Sequence, residues 1–313
     1  MALAVSLYGL VMWWTHQSDQ ALIWSTLHLE VLATAALLCS VNYVLRGWRW
    51  QRWMVLYQRP LPFLQALRFY VAGFVFTPTP GNVGEAVRGM LPAAQPLSVN
   101  ESWSIYAAER LADVMALGLL ALPALLLLFS GFPQTAWGTW GTWGAWGAWD
   151  VWILLAAFSA LVLGLWMLRP VIWTLINSMG QKLFPKVKAV IDQACRCLMS
   201  GSPVWATSTL VAWGCQGAAL WYLCRDAQIQ LDLITCIGFY ALAMIGGALS
   251  LLPAGLGGME LILTSLLVAH GADVAAAAQV TVLIRLLTLW LAVALGGVCF
   301  LYSSLIQKDI RLT

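Results

Sequence analysis

The residues of this chain that could do chemistry are charged side chains set inside apolar sequence. There are seven of them: Glu85, Arg88, Glu109, Arg110, Asp113, Glu260 and Arg285. Carboxylate and guanidinium groups can pair with each other, bind an anion or carry protons. A charge at the centre of a bilayer costs about 3 kcal/mol on translocon scales, so such residues are by default a functional hypothesis. The opposing interpretation is that they only pin helices together as ion pairs.

The composition predicts an all-α polytopic integral membrane protein. Of 313 residues, 61% are hydrophobic and 9% charged, whereas soluble domains average about 25% charged residues. This leaves no room for a separate soluble catalytic domain, and we expect one membrane domain over residues 1–313. The net charge of +3 is small and dispersed, which argues against a nucleic-acid-binding protein. The seven cysteines are scattered and lack metal-site spacing, so neither a metal nor a cofactor is predicted.

Apolar segments of about 20 residues predict bilayer crossings. A short apolar stretch, Leu3–Trp14, predicts a first helix that is incomplete or tilted. Five longer segments follow: Leu27–Leu45, Val99–Phe129, Val151–Leu168, Val204–Leu223 and Val274–Leu301. With the first helix they predict about six full transmembrane helices.

Two further apolar segments are interrupted. Leu61–Thr77 runs into a proline- and glycine-rich stretch, and so does Leu233–Leu252. Each is followed by only a short second half, which is typical of a re-entrant helical hairpin. The predicted hairpin tips are Pro78, Pro80, Gly81 and Gly84 in the first and Pro253, Gly255, Gly257 and Gly258 in the second.

The two hairpins belong to an internal repeat. When Glu85 is superposed on Glu260, Pro78 falls on Pro253, Ser98 on Asp273 and Arg110 on Arg285. Ser98 and Asp273 are suitable N-caps for the long helices that follow, and Glu101 completes a capping box with Ser98. Three predicted crossings separate the hairpins, so they open on opposite faces. This is an inverted-topology repeat, with halves at about residues 1–130 and 150–305.

The basic residues predict the orientation. If each hairpin leaves the membrane where it entered, 13 of the 16 lysines and arginines lie on one side, Arg46 and Arg49 included. The positive-inside rule makes that side cytoplasmic, with both termini there. Arg110 then lies about 18 Å into its helix, close to mid-bilayer, and Arg285 lies equally deep from the other face.

The hairpins and the arginines together would suit a phosphate group. A short helix that begins after proline- and glycine-rich backbone directs free N–H groups and partial positive charge at its N-terminus. Arg110, Arg285 and Arg88 would add full charges. Glu85 and Glu260 could hold these arginines in place or carry protons, so the site is not purely cationic.

The chain resembles the transmembrane flippase-like domain of the lysylphosphatidylglycerol synthase family, the membrane half of multiple peptide resistance factors. The matching pieces cover about Arg46 to Tyr302: Arg49-Trp50, Pro80-x-x-x-Gly84-Glu85-x-x-Arg88, Glu109-Arg110-x-x-Asp113, Pro253-x-Gly255-x-Gly257-x-x-Glu260 and Arg285. The resemblance implies translocation of an anionic or aminoacylated phospholipid, a glycolipid, a hopanoid or a polyprenyl-phosphate-linked cargo in a bacterial-type cytoplasmic membrane. The chain lacks the soluble aminoacyl-transferase domain, so lipid synthesis is not implied.

Other function classes remain open. An enzyme is disfavoured because the three histidines are isolated and no nucleophile elbow or phosphate-binding loop is present. A regulatory or structural subunit of a lipid-modifying envelope system, and a small-solute transporter, are the alternatives. The expected partners are a membrane lipid or lipid-linked substrate, with a second copy of the chain or an envelope-biosynthesis protein as further possibilities.

Overall fold

The computed structural model describes residues 28–79, 81–92, 96–129, 185–250 and 252–312. Within these ranges the chain is helical and contains no strand. Short 3₁₀ segments cover Gly73–Phe76 and Val83–Met90, and a π-helical turn covers Leu286–Trp290. The α-helices are α1 Leu29–Leu56, α2 Phe63–Ala72, α3 Val99–Phe129, α4 Pro185–Met199, α5 Ser202–Asp226, α6 Leu233–Leu249, α7 Gly258–Ala269, α8 Val274–Arg285 and α9 Leu291–Leu312.

The predicted starts of the two long helices are confirmed. Helix α3 begins at Val99, directly after Ser98, whose Oγ accepts from the Glu101 amide at 3.4 Å and whose own amide donates to Glu101 Oε2 at 2.7 Å. Helix α8 begins at Val274, and Asp273 accepts from the amide of Ala275 at 2.8 Å. Both N-caps satisfy backbone donors that have no partner inside the helix.

Helix α1 is longer than predicted, and this is a correction with consequences for the site. It runs to Leu56 and not to Leu45, so Arg46 and Arg49 lie within it. Both guanidinium groups have a carboxylate partner inside the protein, Asp113 of α3. The predicted end of the segment at Leu45 was therefore wrong, whereas the predicted cytoplasmic side of these two arginines stays a prediction.

The C-terminal helical stretch contains a local irregularity. After Arg285 the backbone switches to a π-helical turn before α9 begins at Leu291. The wider turn leaves carbonyl groups free for other donors. The Tyr43 hydroxyl of α1 donates to the carbonyl oxygens of Leu287 at 3.1 Å and Thr288 at 2.9 Å.

Within the described ranges, three helical stretches are long and apolar enough to cross a membrane: Leu29–Leu56, Val99–Leu128 and Val274–Leu305. Helix α5 has sufficient length but is less apolar, because serine, threonine and glutamine interrupt it. The predicted segments Leu3–Trp14 and Val151–Leu168, and both chain termini, lie outside the described residues. The count of about six crossings therefore stays a prediction.

Helices α1 and α5 pack antiparallel along their length. Asn42 near the middle of α1 donates to the carbonyl of Ala212 at 2.9 Å, and Arg49 donates to Thr209 Oγ1 at 2.7 Å. At the other end His28 contacts Asp226 at 2.7 Å.

The C-terminal ends of α1 and α5 are alike. Each is followed by a glutamine with positive φ, Gln58 at 57° and Gln228 at 59°. The next amide then bonds back to the carbonyl five residues earlier, at 3.2 Å and 2.8 Å respectively. The offset that superposes these two glutamines is smaller than the offset that superposes the starts of α3 and α8. The second hairpin region is therefore a few residues longer than the first.

Each interrupted segment packs against the long helix of the other half of the chain. A Cβ at Gly238 of α6 would lie 2.6 Å from the Cβ of Ala124 in α3. A Cβ at Gly296 of α9 would lie 2.8 Å from the carbonyl oxygen of Val71 in α2. Glycine allows this approach at both crossings because a side chain there would collide with the neighbouring helix.

Candidate functional site

The first hairpin, residues 63–90, folds back on itself. Thr77 Oγ1 at the turn donates to Glu85 Oε1 at 2.7 Å. A Cβ at Gly84 would lie 2.8 Å from the carbonyl oxygen of Phe76, so the two limbs touch there. Asn82 and Gly81 have positive φ, which reverses the chain direction. Pro80 of the predicted tip lies outside the described residues.

The second limb of this hairpin differs from the expected short α-helix. Residues Val83–Met90 form a 3₁₀ segment. Gly84 and Gly89 disfavour an α-helix here because glycine loses more backbone entropy than other residues, and Pro92 cannot continue a helix. The segment still carries Glu85 and Arg88 into the protein interior, where they are 3% and 1% exposed.

The second hairpin, residues 233–269, is an antiparallel pair of α-helices. A Cβ at Gly247 of α6 would lie 2.9 Å from the Cβ of Met259 in α7. Further from the turn, the rings of Phe239 and His270 lie 4.7 Å apart. Gly255 and Gly257 have φ of 65° and 86°, so both predicted tip glycines are needed for the turn. Pro253 precedes them and Gly258 begins α7.

Seven side chains form a charged cluster between the first hairpin, α1 and α3. The members are Arg46, Arg49, Glu85, Arg88, Glu109, Arg110 and Asp113. Five of them were predicted as site residues, and the structure brings these five together. Arg46 and Arg49 belong to the same cluster and were not among the predicted site residues.

Asp113 makes most of the contacts on the side of the cluster that faces α1. Its carboxylate contacts Arg46 at 2.8 Å, Arg49 at 3.0 Å and Arg110 at 3.3 Å. Trp213 Nε1 of α5 also donates to it at 3.3 Å. The guanidinium of Arg46 lies over the ring of Trp213, 5.1 Å from its centroid, which adds a cation–π contact.

Arg88 makes most of the contacts on the side of the cluster that faces the first hairpin. It pairs with Glu85 of its own 3₁₀ segment and with Glu109 of α3, the latter at 3.3 Å. Its guanidinium lies 4.4 Å from the centroid of the Tyr70 ring in α2. Arg88 therefore fixes the returning limb of the hairpin against both α2 and α3.

Arg110 is the accessible member of the cluster. Its side chain is 28% exposed, whereas the other six are at most 8% exposed. Its Nη2 contacts Glu85 at 3.5 Å and Asp113 at 3.3 Å, both long for charged pairs. Among the described groups its Nε has no hydrogen-bond partner.

The charges of the cluster do not balance. Four arginines face three carboxylates, so the seven side chains carry one uncompensated positive charge. Buried charges in a low-dielectric environment attract a counter-charge strongly. Among the described residues no further charged side chain pairs with the cluster, and Arg110 is its most exposed member.

Glu260 and Arg285 form a separate ion pair. Arg285 Nε donates to Glu260 Oε1 at 2.7 Å, and its Nη2 donates to the carbonyl of Ala254 in the hairpin turn at 2.9 Å. Glu260 Oε2 accepts from the Gly257 amide at 2.8 Å. In the part of the chain that the structure describes, no ion pair joins these two residues to the cluster. That both groups border one cavity stays a prediction.

Within the described ranges, no group of three or more histidine, cysteine, aspartate or glutamate side chains is placed to hold a metal ion.

The family model described as the lysylphosphatidylglycerol synthase TM region matches residues 1–296. This confirms the resemblance drawn from the motifs, and the match also includes the residues before Arg46. A search of curated proteins finds no match.

Proposed function

The chain belongs to the lysylphosphatidylglycerol synthase transmembrane family, and on that premise we propose that it carries a lipid or lipid-linked anionic substrate between membrane leaflets. The family makes it a membrane protein tied to lipid handling or modification. The cargo classes we propose are phospholipid, glycolipid, hopanoid and polyprenyl-phosphate. We further propose that it moves this cargo without changing it chemically.

The observation that carries the proposal is the uncompensated positive charge of the cluster, with Arg110 as its accessible member. A set of ion pairs that served only to pin helices would favour a balanced number of charges, because an excess buried charge is costly. An anionic head group beside Arg110 would supply the missing charge. We therefore place head-group binding at Arg110, with the remaining cluster members holding it in position.

The arrangement of the helices supports alternating access. The corresponding helices α1 and α5 lie antiparallel, as corresponding elements do when two halves are related by an axis across the helix direction. We propose an inverted repeat of residues 1–130 and 150–305, with the two hairpins re-entrant from opposite faces. In this arrangement the head group passes through mid-membrane while each hairpin closes one side.

We propose a bacterial-type cytoplasmic membrane as the location, with both termini in the cytoplasm. The basic residues outside the cluster support this orientation, because most of them still lie on the predicted cytoplasmic side.

The test is lipid exchange in proteoliposomes. The purified protein is reconstituted with fluorescent lipids that carry either an anionic or a zwitterionic head group, and a membrane-impermeant quencher reports how fast inner-leaflet lipid becomes accessible. We expect wild type to accelerate exchange of the anionic lipid. Arg110→Ala removes charge-assisted hydrogen bonds of about 1.5–3 kcal/mol, which corresponds to a loss of roughly tenfold to a hundredfold.

The matched control is Arg52→Ala, which removes an exposed arginine from α1 and should leave exchange unchanged. If wild type gives no exchange above empty vesicles, the carrier proposal fails and a regulatory or structural subunit becomes the better hypothesis. Uptake of a soluble phosphate compound without lipid exchange would instead indicate a solute transporter.

A further inference from the structure

Arg110 and Arg285 occupy corresponding positions in the two halves of the chain. Each lies 25 residues after a hairpin glutamate, and each lies several turns beyond an N-cap that the structure confirms. Each also pairs with that glutamate, Arg110 with Glu85 and Arg285 with Glu260. Their surroundings nevertheless differ in three respects.

Arg285 is held on two edges of its guanidinium. Nε donates to Glu260 at 2.7 Å, and Nη2 donates to the carbonyl of Ala254 at 2.9 Å. Ala254 lies in the hairpin turn with a positive φ of 54°. The Arg285 side chain is 4% exposed. These contacts tie α8 to the tip of the second hairpin and leave little of the side chain accessible.

Arg110 is held more loosely. Both of its ion-pair contacts, at 3.5 Å and 3.3 Å, use the same nitrogen, Nη2. The side chain is 28% exposed, about seven times the fraction of Arg285. No contact of Arg110 with a backbone carbonyl of the first hairpin occurs among the described residues; the Gly81 carbonyl there accepts from Tyr106 instead, at 2.7 Å.

The cause of the difference is Arg88. It binds Glu85 closely and thereby takes the place that Arg285 has toward Glu260. When Glu85 is superposed on Glu260, the residue that corresponds to Arg88 is the fully buried Leu263, which cannot pair with a carboxylate. Arg285 therefore binds Glu260 closely, whereas Arg110 shares Glu85 with the closer Arg88.

We propose that the two corresponding arginines have different roles: Arg110 contacts the anionic head group, and Arg285 is a positioning residue that fixes the turn of the second hairpin. This assignment rests on the proposed function for its head-group part. It predicts that the site is functionally asymmetric although the two halves correspond. Only the first half binds the anion directly, and the second half supplies a fixed hairpin.

The test uses lipid-dependent thermal stabilisation, which does not require transport. Phosphatidylglycerol added to purified protein in mixed micelles should raise the melting temperature of wild type more than phosphatidylcholine does, by about 4 °C at saturation. Arg110→Met should abolish this difference while leaving the melting temperature without lipid within about 3 °C of wild type. Adding Glu85→Gln to the Arg110→Met variant should not restore the difference between the two lipids.

Arg285→Met should behave in the opposite way. It removes the contact of Arg285 with Glu260 and with the hairpin turn and should lower the melting temperature by about 5 °C or more. Adding Glu260→Gln removes the carboxylate charge while keeping an acceptor for the Gly257 amide, and should restore most of the loss. The double variant should retain the full stabilisation by phosphatidylglycerol.

Three outcomes overturn the assignment: equal loss of head-group-dependent stabilisation in the two methionine variants, its retention in Arg110→Met, or a wild type that does not distinguish the two lipids. The outcomes also separate the two proposals. Wild-type binding with the expected variant pattern but no exchange in vesicles would refute transport and leave the division of roles intact. Lipid exchange that depends equally on both arginines would support transport and refute the division of roles.

Discussion

Asp113 is the residue whose removal should disturb the charged cluster most. Its carboxylate contacts three arginines and one indole N–H, and its side chain is 5% exposed. Asp113→Asn keeps the shape but raises the excess positive charge of the cluster from one to two. Breaking a buried ion pair from one side costs about 3–5 kcal/mol. At roughly 2–4 °C per kcal/mol, we expect the melting temperature to fall by about 10 °C.

The measurement is thermal unfolding of the purified protein in detergent, followed by intrinsic tryptophan fluorescence. Arg46→Gln in the Asp113→Asn background returns the cluster to its original net charge, so the double variant should recover about half of the loss. Glu30→Gln is the control, because it removes an exposed carboxylate from the first turn of α1. An Asp113→Asn protein that melts within about 2 °C of wild type, or a double variant less stable than the single one, would refute the reasoning.

Three further perturbations test other parts of the structure. Gly247→Ala places a Cβ 2.9 Å from that of Met259 and should lower the free energy of unfolding by about 1–3 kcal/mol. The control is Gly118→Ala, whose Cβ meets nothing within 4 Å and which should not lower this free energy. Equal melting temperatures of the two variants would contradict the expectation. Tyr43→Phe leaves two carbonyls of the π-helical turn without their donor and should cost about 1 kcal/mol in the same assay. Burial raises the pKa of the Cys197 thiol in α4 to about 11, so maleimide labelling of a variant with Cys197 as its sole cysteine should be slow at pH 7 and rise about tenfold per pH unit toward 11; rapid labelling that levels off near pH 8 would refute this.

The parts of the structure that the sequence predicts are those fixed by local chemistry. Val99 begins α3 because Ser98 and Glu101 cap it, and a capping box is a four-residue pattern. The two chain reversals are likewise marked by proline and glycine within a few residues of Gly81 and Gly255. Glu85, Glu109 and Arg110 were identified as site residues because charge is rare in segments of this hydrophobicity.

The parts that it does not predict depend on distant partners. Arg46 and Arg49 lie three residues apart at the end of an apolar stretch, a pattern that also fits a cytoplasmic loop. Their partner Asp113 is 67 and 64 residues further along the chain, so only the tertiary packing of α1 against α3 brings them together. The spacing of three was the available signal, because it places both arginines on one helix face.

The sequence also does not show that the two hairpins differ in length. A single offset aligns the glutamates, the N-caps and the two long helices, but the ends of α1 and α5 correspond at a smaller one. The extra residues extend α6 relative to α2 and allow α7 to form a regular helix of 12 residues. The first hairpin returns by a 3₁₀ segment and relies on Arg88 for its attachment.

The transport proposal depends on two hairpins that enter and leave the membrane on the same face, with the two faces opposite. Side-specific labelling tests this directly in a cysteine-free variant that carries one new cysteine at Gln58, Asn100, Gln230 or Gly271, all exposed positions that flank the hairpins. A membrane-impermeant maleimide applied to sealed vesicles of known orientation should label positions 58 and 100 from one side and positions 230 and 271 from the other. Labelling of the two flanks of either hairpin from opposite sides, or of all four positions from one side, would contradict the account.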